Sequence, residues 1–488
     1  MGPSTDGFFA PASVMDDALP DNPDCQGCKA RDEVIAKMKS VIDRMEDRIS
    51  ELEGKVKRLE ARLDQDSSNS SQPPSSDGPA DRAERPSEPE SDRSQGAQPG
   101  HEGHHRPAVD PEDVDKFVDC KPDECLGCGE SFTGTDPDPE THQVTDVEIN
   151  VRVTEFRLHR LTCDCCGQRT GAQLPDQAPS TRFGPIISAV VTYLTGKANL
   201  SRRDAREAAS EVFGVEMSLG TVSNMEGRLT EALSTPYQQA RGWVAESPRV
   251  HLDETTWYDR HRPHWLWVAS DGEVVAYKID PSRGGHVAPD LLDGQPAGEV
   301  VTDRHIGYNW IKIEKRFLCW PHLLRNFKGW ELEEGIVGDI GGLLASYTRE
   351  LFAWLERIRD GTIGEQEFEQ QVGQLRDQFS TTLTAGAKAV DSPNRFDQLL
   401  DLEEAMWAFV DADGWPTDTN EAERAIRPAV LWRQMSFGTQ SDRGCRFVER
   451  MMTVVETLKR QGRQTMGFLE GIWRHISHGE SVPELLPA

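Results

Sequence analysis

A heptad repeat near the N-terminus, followed by a segment with almost no apolar residues, constrains the fold of this chain more than any other feature. Across residues 31–66, apolar residues recur with coiled-coil spacing for about four heptads. The a and d positions are Ile35, Ile42, Ile49, Val56 and Leu63 at a, and Met38, Met45, Leu52 and Leu59 at d. Mostly β-branched residues at a, with Met or Leu at d, favour a parallel dimer. Arg48–Glu53 and Lys55–Glu60 have the spacing of ion pairs between its two chains.

Residues 67–108 are rich in Ser, Pro, Gly and charge, a composition that cannot bury a hydrophobic core. We interpret this stretch as a linker, which leaves the preceding helix no neighbouring domain to pack against. The sequence therefore predicts a homodimer through the coiled coil, and a single amphipathic helix packed on its own domain is the alternative. In such a dimer Cys25 and Cys28 would bring four thiolates together; free thiols are the alternative.

Composition narrows the class of protein. The 488 residues include 83 acidic and 54 basic side chains, a formal net charge of −29, and ten cysteines. No apolar run reaches the roughly 20 residues of a membrane helix and no export signal is visible, so we expect a cytoplasmic protein without membrane contact. Cytosolic cysteines serve metal sites or stay free thiols. The net charge disfavours DNA binding, but much of the acid lies in the N-terminal third and local basic faces matter more.

Two Cys-x-x-Cys pairs, Cys125/Cys128 and Cys163/Cys166, are separated by one strand-like run at residues 147–163. Each such turn presents two thiolates on one side, and two turns supply the four ligands of tetrahedral Zn²⁺. We expect the two turns at the ends of a hairpin, stabilised by structural Zn²⁺ because the strands alone would bury too little surface. Cys120 and Cys165 are further cysteines that could take a ligand position.

Residues 183–246 have a helical pattern. One helix is expected to end at a turn around Phe213–Val215, and a second to open at Ser218 or Thr221. This length and spacing predict a DNA-binding helix-turn-helix, although similar helix pairs occur in proteins that never bind DNA. The period then changes to two, which predicts three consecutive strands near 248–259, 264–270 and 273–280. A fourth, buried strand is expected near 298–303 and a fifth near 315–320. Residues 335–412 are helical, as in an insertion, and two more helices are expected at about 419–430 and 444–462.

Three carboxylates stand out against this pattern. Asp253 lies on the first strand, on the face opposite Leu252; Asp303 ends the fourth strand; and Glu423 opens a helix that Thr419 or Asn420 would cap. A strand-one Asp, a strand-four Asp and a later helical Glu are typical of an RNase H-like phosphoryl-transfer site. Such a site holds two divalent ions, here Mg²⁺ or Mn²⁺, about 4 Å apart. Asp418 and Glu421 remain rivals for the third ligand, whereas Glu254 shares the face of Leu252 and is discounted.

Several stretches resemble the large transposase of the insertion sequence 66 family. They are 69–78, 96–105, 251–257, 300–309, 319–327 and 419–444, together with the two Cys-x-x-Cys pairs. The resemblance implies a DDE core with Asp253, Asp303 and Glu423, an N-terminal leucine zipper, a zinc-binding module and a helical insertion. It also implies small companion proteins encoded by the same element. Thr419-Asn420 replaces the family's usual doubled Asn, but the spacing to Glu423 is kept.

Basic residues near these carboxylates are candidates for binding double-stranded DNA at the element ends and at the target, in association with the nucleoid. They are Arg424, Arg427, Arg433, His322 and Arg325. Each has the alternative of an ordinary surface or ion-paired residue. For the whole chain, a DNA transposase is predicted; the alternatives are a domesticated, non-catalytic DNA-binding derivative and a nuclease without strand transfer.

The predicted fold is multidomain α+β. Its parts are an N-terminal tail (1–30), the coiled coil (31–66), the linker (67–108), the zinc ribbon-like module (109–178), the helix-turn-helix region (179–246), an RNase H-like core in two parts (247–334 and 413–465), its helical insertion (335–412) and a C-terminal tail (466–488).

Overall fold

The structure, a computed structural model, describes residues 33–46, 48, 49, 52, 56, 108–134, 136–175, 178–412, 414 and 417–487. The Cys25/Cys28 pair and the predicted linker as far as residue 107 lie outside the described residues. Helix α1 (33–46) contains the first heptads of the predicted coiled coil. Its a and d side chains, Ile35, Met38, Ile42 and Met45, are 42–60% exposed. This exposed apolar stripe agrees with the predicted repeat, and the dimer stays a prediction.

The prediction of strands across residues 147–159 is wrong. All of these residues are described, yet none belongs to a strand, and Val153 is 88% exposed. A strand needs a partner's backbone, and the first pairing in this part of the chain is the short hairpin of β1 (Arg160–Thr162) and β2 (Arg169–Gly171). The two Cys-x-x-Cys turns therefore do not stand at the ends of one hairpin. The second lies at the tip of β1–β2, and the first is closed by an isolated bridge, Glu124 to Ser131.

Four helices follow, and the turn between the second and the third lies where the sequence predicts it. They are α2 (Pro185–Gly196), α3 (Arg202–Phe213), α4 (Leu219–Ala232) and α5 (Ser234–Glu246). Gly214, at φ 64°, ends α3 in the left-handed conformation that glycine adopts most easily. The Ser218 side chain accepts a hydrogen bond from Thr221 N–H and begins α4. Whether this pair binds DNA stays a prediction.

A five-stranded mixed sheet forms the centre of the chain. Its strands, in chain order, are β3 (Arg249–Asp259), β4 (Arg262–Ser270), β5 (Val275–Asp280), β6 (Glu299–Thr302) and β7 (Arg316–Leu318). All five lie where the sequence predicts them, and their order in the sheet is β5-β4-β3-β6-β7. The first three form an antiparallel meander, and β6 and β7 run parallel to β3. The short helix α6 (Val287–Leu291) lies between β5 and β6 in the chain.

Helices before and after the sheet share its main core, whereas the helical insertion has its own. The insertion, predicted over 335–412, contains α8 (Ile336–Arg359), α9 (Glu365–Ala389), α10 (Arg395–Leu400) and α11 (Glu403–Trp407), and α7 (Trp320–Glu331) directly precedes it and shares its core. Their aromatic side chains pack edge-to-face, with the ring of Trp320 5.4 Å from Phe379 and 4.9 Å from Trp407. This second core also includes Val301 of β6 and Phe317 of β7, so the insertion packs at that side of the sheet.

The C-terminal part returns to the sheet as α12 (Asn420–Ser436), α13 (Asp442–Arg460) and α14 (Thr465–His478). The prediction of a tail from residue 466 is wrong, because α14 buries Phe468, Leu469, Ile472 and Trp473 at helical spacing. Trp473 also donates a hydrogen bond to Thr192 of α2, at 3.1 Å. In the part of the chain that the structure describes, no helix is long and apolar enough to cross a membrane.

Candidate active site

The predicted carboxylates come from three elements that meet beside the middle of the sheet. Asp253 lies within β3, and Asp303 directly follows β6, the parallel neighbour of β3. In their register His251 pairs with Val301, and continuing it by two residues sets Asp303 beside Asp253. Glu423 lies in the first turn of α12, where sequence analysis also places it. The fold thus brings together carboxylates that are up to 170 positions apart in the chain.

The surroundings of Asp253 disfavour its charge. Burial raises the pKa of Asp253 well above its usual range, and the negative charges of Glu254, Asp303 and Glu423 raise it further. One hydrogen bond, from Glu254 N–H at 2.9 Å, works in the opposite direction. Three neighbouring carboxylates that repel one another in a poorly solvated position would be stabilised by a bound cation.

Asp303 is held through its backbone and its side chain. Its Oδ1 accepts a hydrogen bond from His305 N–H at 2.8 Å. Its carbonyl oxygen accepts from Thr302 Oγ1 at 2.7 Å and from the guanidinium of Arg316 at 3.0 Å. Arg316, on β7, is 1% exposed and also donates to the side chains of Thr302 and Asn309. The sequence pattern gives no sign of this contribution, because Arg316 occupies a strand whose other residues are apolar.

Glu423 faces two of the predicted basic residues. Its Oε1 lies 3.6 Å from the guanidinium of Arg325 and 3.7 Å from Nε2 of His322, both on α7. The other imidazole nitrogen, His322 Nδ1, is 3.0 Å from the buried Cys319 Sγ, so the ring is held from both sides. Burial and the positive charge of Arg325 lower the pKa of His322, whereas the nearby Asp303 and Glu423 raise it.

The start of α12 differs from its predicted capping. Thr419 is the N-cap, but its side chain makes no capping hydrogen bond and instead donates to Cys319 Sγ at 3.4 Å. Asp418 accepts from the N–H of Asn420 at 3.0 Å. Glu421 pairs with Arg424. The two rival carboxylates, Asp418 and Glu421, are thus engaged at the helix start.

The remaining basic candidates have different surroundings. Arg427 is exposed on α12. Arg433, only 9% exposed, donates from its guanidinium to Thr255 Oγ1 and to the backbone and hydroxyl oxygens of Thr256, and so joins α12 to β3.

Glu254 forms a buried ionic cluster that the sequence analysis does not predict. Its Oε1 accepts from Arg283 Nε at 2.8 Å, its Oε2 accepts from the hydroxyl of Tyr308, and His305 Nδ1 lies 3.9 Å away. Burial, followed by the charge of Asp303, raises the pKa of Glu254 to about 7. Because Arg283 approaches from a loop and Tyr308 from the short 3-10 helix Ile306–Tyr308, both outside β3, the strand pattern by itself contains no sign of them.

The two Cys-x-x-Cys turns share one backbone geometry. In each, the first cysteine N–H donates to a carbonyl five residues on, and the glycine four residues on, Gly129 or Gly167, donates back to the cysteine carbonyl. Hydrogen bonds from backbone N–H groups of the turn, that of Gly127 above all, lower the pKa of Cys125. In the second turn, the N–H of Cys166 is the main donor that lowers the pKa of Cys163. Each turn thus favours thiolates, the form that binds Zn²⁺.

The donor atoms at both places suit the expected ions chemically: carboxylates suit Mg²⁺ or Mn²⁺, and thiolates suit Zn²⁺. Among the described residues, however, no three His, Cys, Asp or Glu side chains are already grouped closely enough to hold a metal ion. Metal binding would therefore have to draw the ligands of either place closer together.

Comparisons with known proteins agree with this architecture. The model of a family described as "Transposase IS66 family" matches residues 182–446, and that of a family of unknown function, DUF6444, matches residues 20–107. The uncharacterized protein y4qI of Sinorhizobium fredii is 24% identical over an alignment of 313 positions that covers 56% of this chain and 56% of that relative. This chain thus spans about half of that relative's length. The uncharacterized protein y4hP of the same organism is 22% identical over an alignment of 422 positions that covers 77% of this chain and 75% of the relative. Because the transposase match covers more than half of the 488 residues and contains all three candidate carboxylates, the protein belongs to the IS66 transposase family.

Proposed function

We propose that the protein is a DNA transposase that cleaves the ends of its element and joins their 3′-hydroxyls to target DNA. The observation that carries this proposal is the convergence of Asp253, Asp303 and Glu423. Burial and the charge of Glu254, followed by the charges of Asp303 and Glu423, raise the pKa of Asp253. With β3 counted as strand 1, the order in the sheet is 3-2-1-4-5, and strands 4 and 5 run parallel to strand 1. This order supports an RNase H-like core. Family membership supports the substrate class.

In this proposal, Asp253, Asp303 and Glu423 hold two Mg²⁺ or Mn²⁺ ions. When bound, such ions polarise the attacking hydroxyl or water and stabilise the leaving oxygen. The chain's own residues orient the ligands: Arg316 and His305 N–H hold Asp303, and His322 and Arg325 hold Glu423. Strand transfer at paired ends also needs two copies, which the predicted coiled coil would supply. Structural Zn²⁺ at Cys125, Cys128, Cys163 and Cys166 is part of the same proposal.

The test is cleavage and joining of a DNA duplex that carries the element's own ends, in Mg²⁺ or Mn²⁺. Wild type is compared with Asp303→Asn, which keeps an oxygen for His305 N–H but removes the charge. The matched control is Asp377→Asn, an exposed residue of α9. We expect metal-dependent 3′-end joining from wild type and control, and none from Asp303→Asn.

Other outcomes identify the alternatives. Tight binding of the ends without chemistry, even with companion proteins of the element added, would indicate a domesticated DNA-binding derivative. Metal-dependent cutting without joining would indicate a nuclease. Full activity of Asp303→Asn would remove the assigned carboxylates from the mechanism.

A further inference from the structure

A basic groove lies beside α12, next to the candidate active site. It has a volume of about 390 Å³ and is lined by the end of α2, by α12 and by α13. Its charged lining residues are Lys197, Arg424, Arg427, Lys459 and Glu456. Glu421, paired with Arg424, also lies beside these residues. Four cations against these two carboxylates leave a surplus of two positive charges, in a chain with 83 acidic and 54 basic residues. A local field of this sign attracts anions in spite of the net charge.

Glu456 orders the cations of this groove without neutralising them. Its carboxylate is buried and lies 3.9 Å from Lys197 Nζ, 3.8 Å from Lys459 Nζ and 3.4 Å from the guanidinium of Arg460. One negative charge shared by three cations leaves a net positive charge. It also restricts the lysine rotamers, which lowers the entropy cost of binding an anion.

Arg427 offers donors to an incoming group. It is exposed, and within the described part of the chain no hydrogen bond or ion pair engages it. It follows Glu423 by four residues on α12, so the two side chains share a face about 6 Å apart along the helix axis. A guanidinium there can bind a phosphate group bidentately.

The rest of the lining is apolar apart from Asn199. Pro428, Leu431 and Trp432 belong to α12, and their surfaces suit the sugars of a nucleic acid better than an isolated inorganic anion. Asn199, at φ 57° between α2 and α3, has a buried Oδ1 without a hydrogen-bond partner among the described residues. A buried polar atom left unpaired is costly. Rotation of the side-chain amide by 180° would exchange its oxygen and nitrogen, so that the amide nitrogen could donate to a ligand.

We propose that this groove binds the phosphodiester backbone of the DNA strand that continues from the active site. The inference rests on the proposed function, because that function places the reacting phosphate at Asp253, Asp303 and Glu423. A phosphate bound by Arg427 lies one helical turn farther along α12 from that position. Lys197 and Asn199 then connect the active site to the helical region 179–246.

The experiment measures affinity for a DNA duplex of about 30 base pairs, without divalent metal, over roughly 50 to 200 mM salt. The variant is Arg427→Gln/Lys459→Gln, and the control Arg376→Gln/Lys388→Gln removes the same charge from exposed positions on α9. Each lost phosphate contact lowers the slope of log K against log salt by about 0.9. We therefore expect a slope shallower by about 1.8 for the groove variant and no change for the control.

The outcomes separate this inference from the proposed function. If wild type binds DNA and the groove variant keeps the wild-type slope, the groove inference is overturned and the transposase proposal stands. If wild type binds no DNA, both are overturned. Circular dichroism checks folding, and the single Arg427→Gln, at an exposed position, replaces the double variant if that does not fold, with an expected change of about 0.9. Asn199→Ala should weaken binding without changing the slope, because it removes no charge.

Discussion

Arg316 is a single residue on which both stability and the site depend. Its buried guanidinium donates to four oxygens at the end of β6 and in the segment that follows, those of Thr302, Asp303, His305 and Asn309. Arg316→Lys keeps the charge, but one ammonium cannot meet acceptors placed for a planar guanidinium. We expect the free energy of unfolding, measured by urea denaturation, to fall by about 2–3 kcal/mol.

Arg376→Lys on the exposed face of α9 is the matched control, with an expected change within about 0.5 kcal/mol. The two variants are also compared for metal-dependent DNA cleavage. Because Arg316→Lys should displace Asp303, we expect it to lower kcat and to change KM less. Equal unfolding curves for Arg316→Lys and wild type would show that the buried hydrogen bonds contribute nothing to stability.

At the scale of elements, α13 covers the edge of the sheet formed by β5, because the spacing of its polar side chains matches the spacing of the N–H groups along that strand. Glu449, Thr453 and Thr457 follow one another every four residues along α13, and their oxygens accept from N–H groups of every second residue of β5, Ile279, Tyr277 and Val275. Four helical residues rise about 6.0 Å and two strand residues about 6.7 Å, so the two ladders stay in step. Buried edge N–H groups are thereby paired without a sixth strand.

This arrangement predicts a pH dependence at Glu449. Burial raises the pKa of Glu449 from 4.5 to about 7 in the folded chain. Between those two values the folded chain keeps a proton that the unfolded chain has lost, so the free energy of unfolding falls as pH rises through this window. In Glu449→Gln, the amide oxygen still accepts from Ile279 N–H but cannot titrate. As pH rises from 5 to 8, we expect the free energy of unfolding of the variant to increase by about 1–3 kcal/mol relative to that of wild type. A difference that stays constant with pH would contradict the prediction.

The two cysteine turns are elements that, without metal, bury little surface of their own. Three of their four cysteines are exposed and Cys125 is only half-buried, so bound Zn²⁺ should contribute most of their stability. We expect about one Zn²⁺ per chain in purified protein, measured by mass spectrometry of metals, and its loss in Cys128→Ser/Cys166→Ser. Cys120→Ser, outside both turns, should keep it. An equal zinc content in all three proteins would place the metal elsewhere.

At the scale of the whole molecule, the exposed stripe of α1 predicts that two chains act together. Ile42 occupies a central a position and is 51% exposed in the single chain. A lysine there would place two like charges at the dimer seam. We expect light scattering to show a dimer for wild type and a monomer for Ile42→Lys. Asp43→Lys, exposed on the same helix but outside the a and d positions, is the control and should stay dimeric.

Local patterns alone predicted much of this molecule. Period-two alternation located the first three strands and apolar runs the last two, and Gly214 and Ser218 marked the turn between α3 and α4, because these signals act within a few residues. The same alternation over 147–159 failed, since strand formation needs a partner that the pattern does not contain. Phe468, Leu469, Ile472 and Trp473 had the spacing of a buried helix, although the segment was expected to be a tail.

By itself, the sequence determined which residues can form the site: Asp253 on a strand, Asp303 at a strand end and Glu423 at a helix start, each recognisable from its immediate neighbours. Only the tertiary structure decided what surrounds them. Arg316 behind Asp303, Arg283 and Tyr308 on Glu254, and the groove formed by α2, α12 and α13 all join positions far apart in the chain. Burial and charge depend on such distant neighbours, and local sequence periodicity contains no record of them.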